Sequence, residues 1–226
     1  MIYYNYQEQD VCRTAGRKQG GNDMDAQDCL QMLREIQDVS FATVGEDGLP
    51  HNRIIDIMIV EEGRLVFCTG RGKDFYRQLT ANPHVAISGL NKAWQMIRLT
   101  GTVKKLDGQE QWIDRIFEEN PAMNDVYPGT ARYILEAFAI ESGSIEFFDL
   151  GTSPIRRESF SFGGSKTPEK GFRITDSCIG CGTCKRNCPQ QCVEAGTPFR
   201  IRQDRCLHCG LCFENCPVQA VVRRDA

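Results

Sequence analysis

The sequence predicts an all-β/α+β chain in two parts. The first is an antiparallel β-barrel with short helices over residues 24–164, and the second is a small α+β cysteine-rich module over residues 173–226. Three observations carry this. Short apolar runs bounded by turn residues recur through the first part. Nine of the twelve cysteines crowd between Cys178 and Cys216. Between the two parts, residues 165–172 are rich in Gly, Ser, Lys and Pro and read as a linker.

Residues 1–23 fit neither part and read as a disordered or non-native extension. Gly20-Gly21 shortly before Met24 is what translation through a purine-rich ribosome-binding sequence would give, so Met24 is the expected start. Leu30, Leu33 and Ile36 lie at helical spacing and predict an amphipathic helix over 24–37. Strands are expected at 39–45, 53–60, 64–69, 84–90, 95–106, 133–141 and 144–150, with a last one at 159–164. Glu46-Asp47-Gly48, Glu61-Glu62-Gly63 and Ser142-Gly143 are hairpin-type turn signals. Helices over 73–81 and 109–119 end at Asn82-Pro83 and Asn120-Pro121. Antiparallel strands at this spacing suggest a closed barrel.

Composition narrows the function classes. With 226 residues, 41% hydrophobic and 25% charged, the chain can bury one or two ordinary cores. Its net charge of −3 and pI near 5.7 lack the basic footprint of a nucleic-acid binder. The longest apolar run, 54–60, is interrupted by Asp56 and is too short to span a bilayer. The start lacks a basic-then-apolar signal pattern, so a cytoplasmic protein with no membrane partner is expected.

The cysteines carry the chemistry. Cys178, Cys181, Cys184 and Cys188-Pro189 follow C-x2-C-x2-C-x3-C-P, and Cys206, Cys209, Cys212 and Cys216-Pro217 repeat it. In such runs three closely spaced thiolates serve one 4Fe-4S cluster and the fourth serves the other. The expected ligand sets therefore cross: Cys178, Cys181, Cys184 and Cys216 for one cluster, and Cys206, Cys209, Cys212 and Cys188 for the second. Structural zinc also uses paired CxxC groups, but has no need of a third cysteine at the same step followed by Cys-Pro, twice. Gly180, Gly182 and Gly210 suit backbone packed close to a cluster, or ordinary turns. Cys192 is expected to be a small buried packing residue and not a ninth ligand, and His208, placed where it could couple a cluster's potential to pH, is read first as a solvated loop histidine. The segment 173–222 resembles bacterial two-cluster ferredoxins, with all eight ligand positions matched.

The first part also carries a resemblance. The residues are Phe41-Ala42-Thr43-Val44, Gly48-Leu49-Pro50, Arg53-Ile54-Ile55, Val66-Phe67-Cys68-Thr69 with Lys73, Asn82-Pro83-His84-Val85 and Ile97-Arg98-Leu99-Thr100-Gly101. Together they resemble the FMN-binding split barrel of the pyridoxamine-5'-phosphate-oxidase-like superfamily. The resemblance implies a Greek-key barrel in a homodimer with FMN at the interface. Arg53 offers a planar fork to the phosphate, Lys73 a point charge at a helix start, and Thr69 a hydroxyl. The backbone of Ile54, Ile55 and Cys68 would run along the flavin ring, with Gln95 reaching it across the dimer. The C-terminal tryptophan and arginine segment of the true oxidase is replaced by the path through 151–171 into the cysteine module, which argues against that oxidase's own activity.

Clusters pass single electrons and a flavin handles one or two, so their combination makes an electron converter. Three readings compete: a ferredoxin-linked flavin reductase acting on a small molecule, an electron carrier or redox sensor without a substrate, and a barrel holding a ligand other than FMN, with Trp94 or Trp112 beside it. No acid-base group stands out, because His51 and His84 sit where strand or turn duties suffice. The expected partners are a second copy of the chain and a ferredoxin or other redox protein.

Overall fold

The computed structural model describes residues 24–224, so the expectations for residues 1–23 lie outside the described residues. Helix α1 (Ala26–Ile36) opens with a reciprocal cap in which Asp25 and Asp28 each accept the other's backbone N–H. Its buried stripe, Cys29, Leu30 and Leu33, covers the barrel. Strands β1 (Asp38–Val44) and β2 (Pro50–Asp56) form a hairpin, closed where Gly45 N–H donates to Leu49 O. A short β3 (Ile59–Glu61) pairs with β4 (Arg64–Gly70) across Glu62-Gly63, both at positive φ as a tight primed turn requires. Helix α2 (Asp74–Ala81), β5 (His84–Leu90), β6 (Gln95–Lys105) and helix α3 (Gln109–Glu119) follow. The one-turn α4 (Met123–Val126) and a 3-10 turn over Gly129–Ile134 lead to β7 (Leu135–Asp149) and β8 (Arg156–Phe162).

All eight strands form one antiparallel curled sheet in the order β2-β1-β5-β6-β7-β4-β3, with β8 also on β7. Alternation explains the inner face: Val39, Phe41 and Thr43 on β1, Val85 and Ile87 on β5, and Ile97, Leu99 and Val103 on β6 all point inward. Phe41, Phe67, Phe75 and Phe138 pack at the centre, with centroid separations between 4.9 and 5.9 Å.

Two sequence expectations are corrected. The strand expected over 53–60 is two, because the chain changes partner there: Ile57 N–H donates to Gln37 O and Met58 N–H to Val66 O, carrying the backbone from β1 to β4. The hairpin expected at Ser142-Gly143 does not form, and β7 runs through it. Gly143 faces Gly101 across the ladder, and a Cβ on Gly143 would meet Thr100 O at 2.5 Å. The glycine therefore serves a close backbone approach beside a bulge at Thr102/Val103. The first part of β7 pairs with β4 and the second with β8, so one bent strand serves both.

The C-terminal module is pseudo-symmetric. Strand β9 (Phe172–Ile174) pairs with the last strand (Val221–Arg223), and β10 (Val193–Glu194) pairs with β11 (Arg200–Ile201). Two one-turn helices, α5 (Thr183–Arg186) and α6 (Leu211–Glu214), each follow a glycine at positive φ, Gly182 and Gly210. Phe172, Val193, Ile201 and Val221 pack with Cys184, Cys192 and Cys206 in a core of their own. No helix among the described residues is long and apolar enough to cross a membrane.

Candidate functional site

The C-x2-C-x2-C segments are loops leading into α5 and α6, and the two Cys-Pro corners lie just beyond those helices. This brings the cysteines together around two small cavities, each partly open to solvent. One is lined by Cys178, Cys181, Cys184 and Cys216, with Ile174, Val218 and Val221 among its apolar walls. The other is lined by Cys188, Cys206, Cys209 and Cys212, with Phe172, Val193 and Ile201 among its walls. Each cavity thus takes three cysteines from one motif and the Cys-Pro cysteine of the other. Among the described residues, no three His, Cys, Asp or Glu groups converge as around a single metal ion. Four thiols spread around an apolar void fit a multi-iron cluster, whose thiolate ligands bind at separate corners, better than one zinc ion.

Cys192 is buried as expected. Its Sγ lies 3.4 Å from Cys188 Sγ, and it lines the second cavity. A hydrogen bond from the Cys192 thiol holds Cys206 down to about 6, against the raising effect of burial; the same bond and burial push Cys192 itself up. Cys192 is therefore a neighbour whose thiol hydrogen bond favours thiolate on Cys206. Burial pushes Cys212 up to about 11.

His208 corrects the expectation of a solvated loop. It is half-buried at positive φ, its Nδ1 lies 3.2 Å from Arg157 Nη1, and its Nε2 is buried without a hydrogen-bond partner. Burial, followed by the Arg157 cation, lowers it to about 4, which keeps the ring neutral near pH 7. The approach of β8 through Arg157 supplies this environment, and no pattern around residue 208 announces it.

In the barrel, Arg53 is half-buried on β2. Its Nη1 donates to Thr43 Oγ1 at 2.6 Å and its Nη2 to Gln78 Oε1 at 2.6 Å, and the guanidinium lies 4.6 Å from the Phe75 ring centre. Thr43 Oγ1 also donates to Gln78 Oε1 at 2.7 Å. Among the described residues no carboxylate pairs with Arg53, so its charge rests on neutral oxygens, and burial lowers its pKa. Lys73, exposed, is the residue preceding α2, and it too has no carboxylate partner among the described residues. Thr69 is buried on β4 opposite Glu136. Ile54 is 63% exposed, Ile55 is partly buried, and Cys68 is buried with its thiol pushed up to about 12 by desolvation.

Helix α2 thus brings Arg53 to Gln78 and Phe75, while no hydrogen bond joins Arg53 to Thr69 or Lys73 among the described residues. Gln95 stands apart at the start of β6, donating to Asp149 Oδ2 at 3.1 Å and accepting from Asn91. Sequence reading missed Thr43 and Gln78; the available signal was a glutamine on the otherwise apolar buried face Phe75, Gln78, Leu79. Trp94 is 62% exposed in the turn before β6, and Trp112 packs against the guanidinium groups of Arg64 and Arg115, so neither lines a closed ligand cavity.

A part-buried guanidinium with no carboxylate partner among the described residues has the chemistry to hold a phosphate or other anion, and Lys73 before α2 is a second cation without a carboxylate partner.

Comparison with known proteins agrees with both halves. Residues 26–126 match the family model for pyridoxamine 5'-phosphate oxidase, and residues 177–220 match the 4Fe-4S dicluster domain. Residues 26–126 thus resemble a pyridoxamine 5'-phosphate oxidase domain, an FMN-binding split-barrel family, and residues 177–220 resemble a 4Fe-4S dicluster domain. It is 34% identical over 93 residues to a pyridoxine/pyridoxamine 5'-phosphate oxidase of Burkholderia vietnamiensis, covering 39% of this chain and 41% of that protein. With the Bdellovibrio bacteriovorus enzyme of the same name it shares 32% over 81 residues, 35% of this chain and 41% of that one. The match thus spans about two fifths of these relatives' length. Among solved structures, a nimC/nimA family protein of Clostridium acetobutylicum superposes with a TM-score of 0.51 at 28% identity, over 59% of this chain and 89% of that one. The two matched domain types together suggest redox chemistry.

Proposed function

We propose that the chain is an iron-sulfur flavoprotein that passes electrons between two 4Fe-4S clusters and FMN and delivers them to a small molecule. The observation that carries this is the pair of cavities, each lined by four motif cysteines in the crossed arrangement, in a module joined to a barrel whose Arg53 has no carboxylate partner among the described residues. Cys178, Cys181, Cys184 and Cys216 hold one cluster; Cys206, Cys209, Cys212 and Cys188 hold the other. Arg53 and Lys73 hold the flavin phosphate, with Thr69 beside them, while the backbone of Ile54, Ile55 and Cys68 borders the ring. Bound there, clusters supply one-electron transfer and a flavin supplies one- and two-electron chemistry.

The chain's own residues do the rest. Apolar walls would shield the inner thiols, Cys184 and Cys206, from water, while Cys181 and Cys209 stay exposed. Thr43 and Gln78 fix the Arg53 fork on neutral oxygens and leave its charge for the phosphate. A second copy of the chain completes the flavin groove through Gln95, and a ferredoxin or similar iron-sulfur protein is the electron partner. Anaerobic rapid mixing with a reduced ferredoxin tests the proposal: the cluster absorbance bleaches first and the flavin band follows. Reduction of the clusters with the flavin band unchanged over the whole course would overturn it.

A further inference from the structure

Arg157 is 8% exposed on β8 and belongs to no expected site. It forms an ion pair with buried Glu146 on β7, and its guanidinium lies 4.4 Å from the Phe148 ring centre. From this anchorage it crosses to the cysteine module. Nη2 donates to Leu207 O at 3.5 Å and Nη1 lies 3.2 Å from His208 Nδ1. Leu207 and His208 are the two residues between Cys206 and Cys209, and His208 N–H points to Cys206 Sγ at 3.4 Å. Glu146 also faces Arg98 at 3.4 Å and Lys170 at 3.8 Å. One buried carboxylate thus meets three cations, while Glu158, Glu169 and Asp204 line the outer side of the same junction with Lys170 and Arg224. Nothing comparable touches the other cavity. Among the described residues no hydrogen bond or ion pair joins residues 178–184 or Cys216 to the barrel.

Resting on the two-cluster reading above, we propose that Arg157 is a positioning residue that fixes the Cys206–Cys209 loop against the barrel and favours the reduced, more negative state of the cluster held there. The second-motif cluster is thereby the barrel-facing member of the pair, and the Cys178–Cys184 cluster is the outward one. The physical ground is a buried cation in direct contact with the ligand loop, with its paired carboxylate Glu146 on the barrel strand, in a low-dielectric junction. Arg186 provides the internal comparison, since its Nη1 donates to Cys181 O at 2.9 Å in the first motif.

The test is a potentiometric titration of the anaerobically purified full chain, followed by electron paramagnetic resonance, with iron analysis on every sample. Arg157→Gln is expected to lower one cluster midpoint and leave the other in place, Arg157→Lys to restore it toward the native value, and Arg186→Gln to move the other midpoint. Unchanged midpoints in Arg157→Gln, equal shifts of both, or Arg157→Gln and Arg186→Gln acting on the same midpoint would overturn the proposal. An iron content far below eight in the unmodified chain would instead sink the two-cluster reading itself. Should Arg157→Gln fail to accumulate, the Arg157→Lys midpoints decide: with the charge kept they must match the native pair, and a changed barrel-side midpoint there refutes a role for the charge.

Discussion

Replacing Arg53 and Lys73 together by Ala separates phosphate binding from folding. In the folded protein the Arg53 fork rests on Thr43 and Gln78, which also bond to each other at 2.7 Å, so these partners keep a hydrogen bond after the change. The lost stacking on Phe75 costs about 0.5–1 kcal/mol, and release of a desolvated, unpaired cation offsets part of it. Stability should therefore move by no more than about 1 kcal/mol. Binding should respond far more strongly. Each charge-assisted bond to a phosphate contributes about 1.5–3 kcal/mol, and losing two should weaken FMN binding by roughly 10²- to 10⁴-fold. Riboflavin, which has the same ring and no phosphate, should bind the double variant as it binds the unmodified barrel. Titration of the flavin-free protein by fluorescence quenching with both ligands reads this directly. An unchanged FMN affinity, or an equal loss for riboflavin, would refute the phosphate assignment.

Cys216→Ser should damage the cluster whose other ligands are Cys178, Cys181 and Cys184, because Cys216 lines their cavity; electron resonance on the variant must retain the second-motif signal, and loss of that signal alone would reverse the assignment. Phe67→Ala, at the centre of the aromatic cluster, should cost about 3–5 kcal/mol by denaturant unfolding, and a loss under about 1 kcal/mol would argue against the packing described. Asp56 faces Asp38 across β1 and β2, and the hydrogen bond that its protonated carboxyl donates to Asp38, burial and the like charge of Asp38 raise its pKa. A raised carboxyl contributes stability that is full below its unfolded value and lost as pH rises through the folded one. Asp56→Asn should therefore be more stable than the unmodified chain near neutral pH, with the advantage gone below about pH 4; an advantage that grows on acidification would contradict this sign.

The barrel was legible where one face is buried and the other wet. The alternation in β1, β5 and β6 and the helical stripe of α1 state their own burial. Legibility failed where a glycine has two possible uses. Ser142-Gly143 reads as a turn, yet Gly143 is there for contact with the Gly101 strand, a fact about a partner 42 positions away. The break at Ile57-Met58 was hidden for a related reason, since the apolar run continues while the strand changes neighbours. In the cysteine module, spacing alone prescribed the sets that the cavities bring together, because ligand geometry is encoded locally. The support around the barrel's cation is not local: Thr43 and Gln78 reach Arg53 from another strand and a helix. Arg157 was equally invisible, being one of two adjacent arginines whose different roles depend on which side of β8 meets the module.

The most direct test is iron, acid-labile sulfide and released-cofactor analysis on one anaerobically purified sample. The account predicts about eight irons, about eight sulfides and about one FMN per chain. Eight irons without FMN would leave the cysteine module standing and contradict the flavin half, while zinc in place of iron and sulfide would contradict the account at its centre.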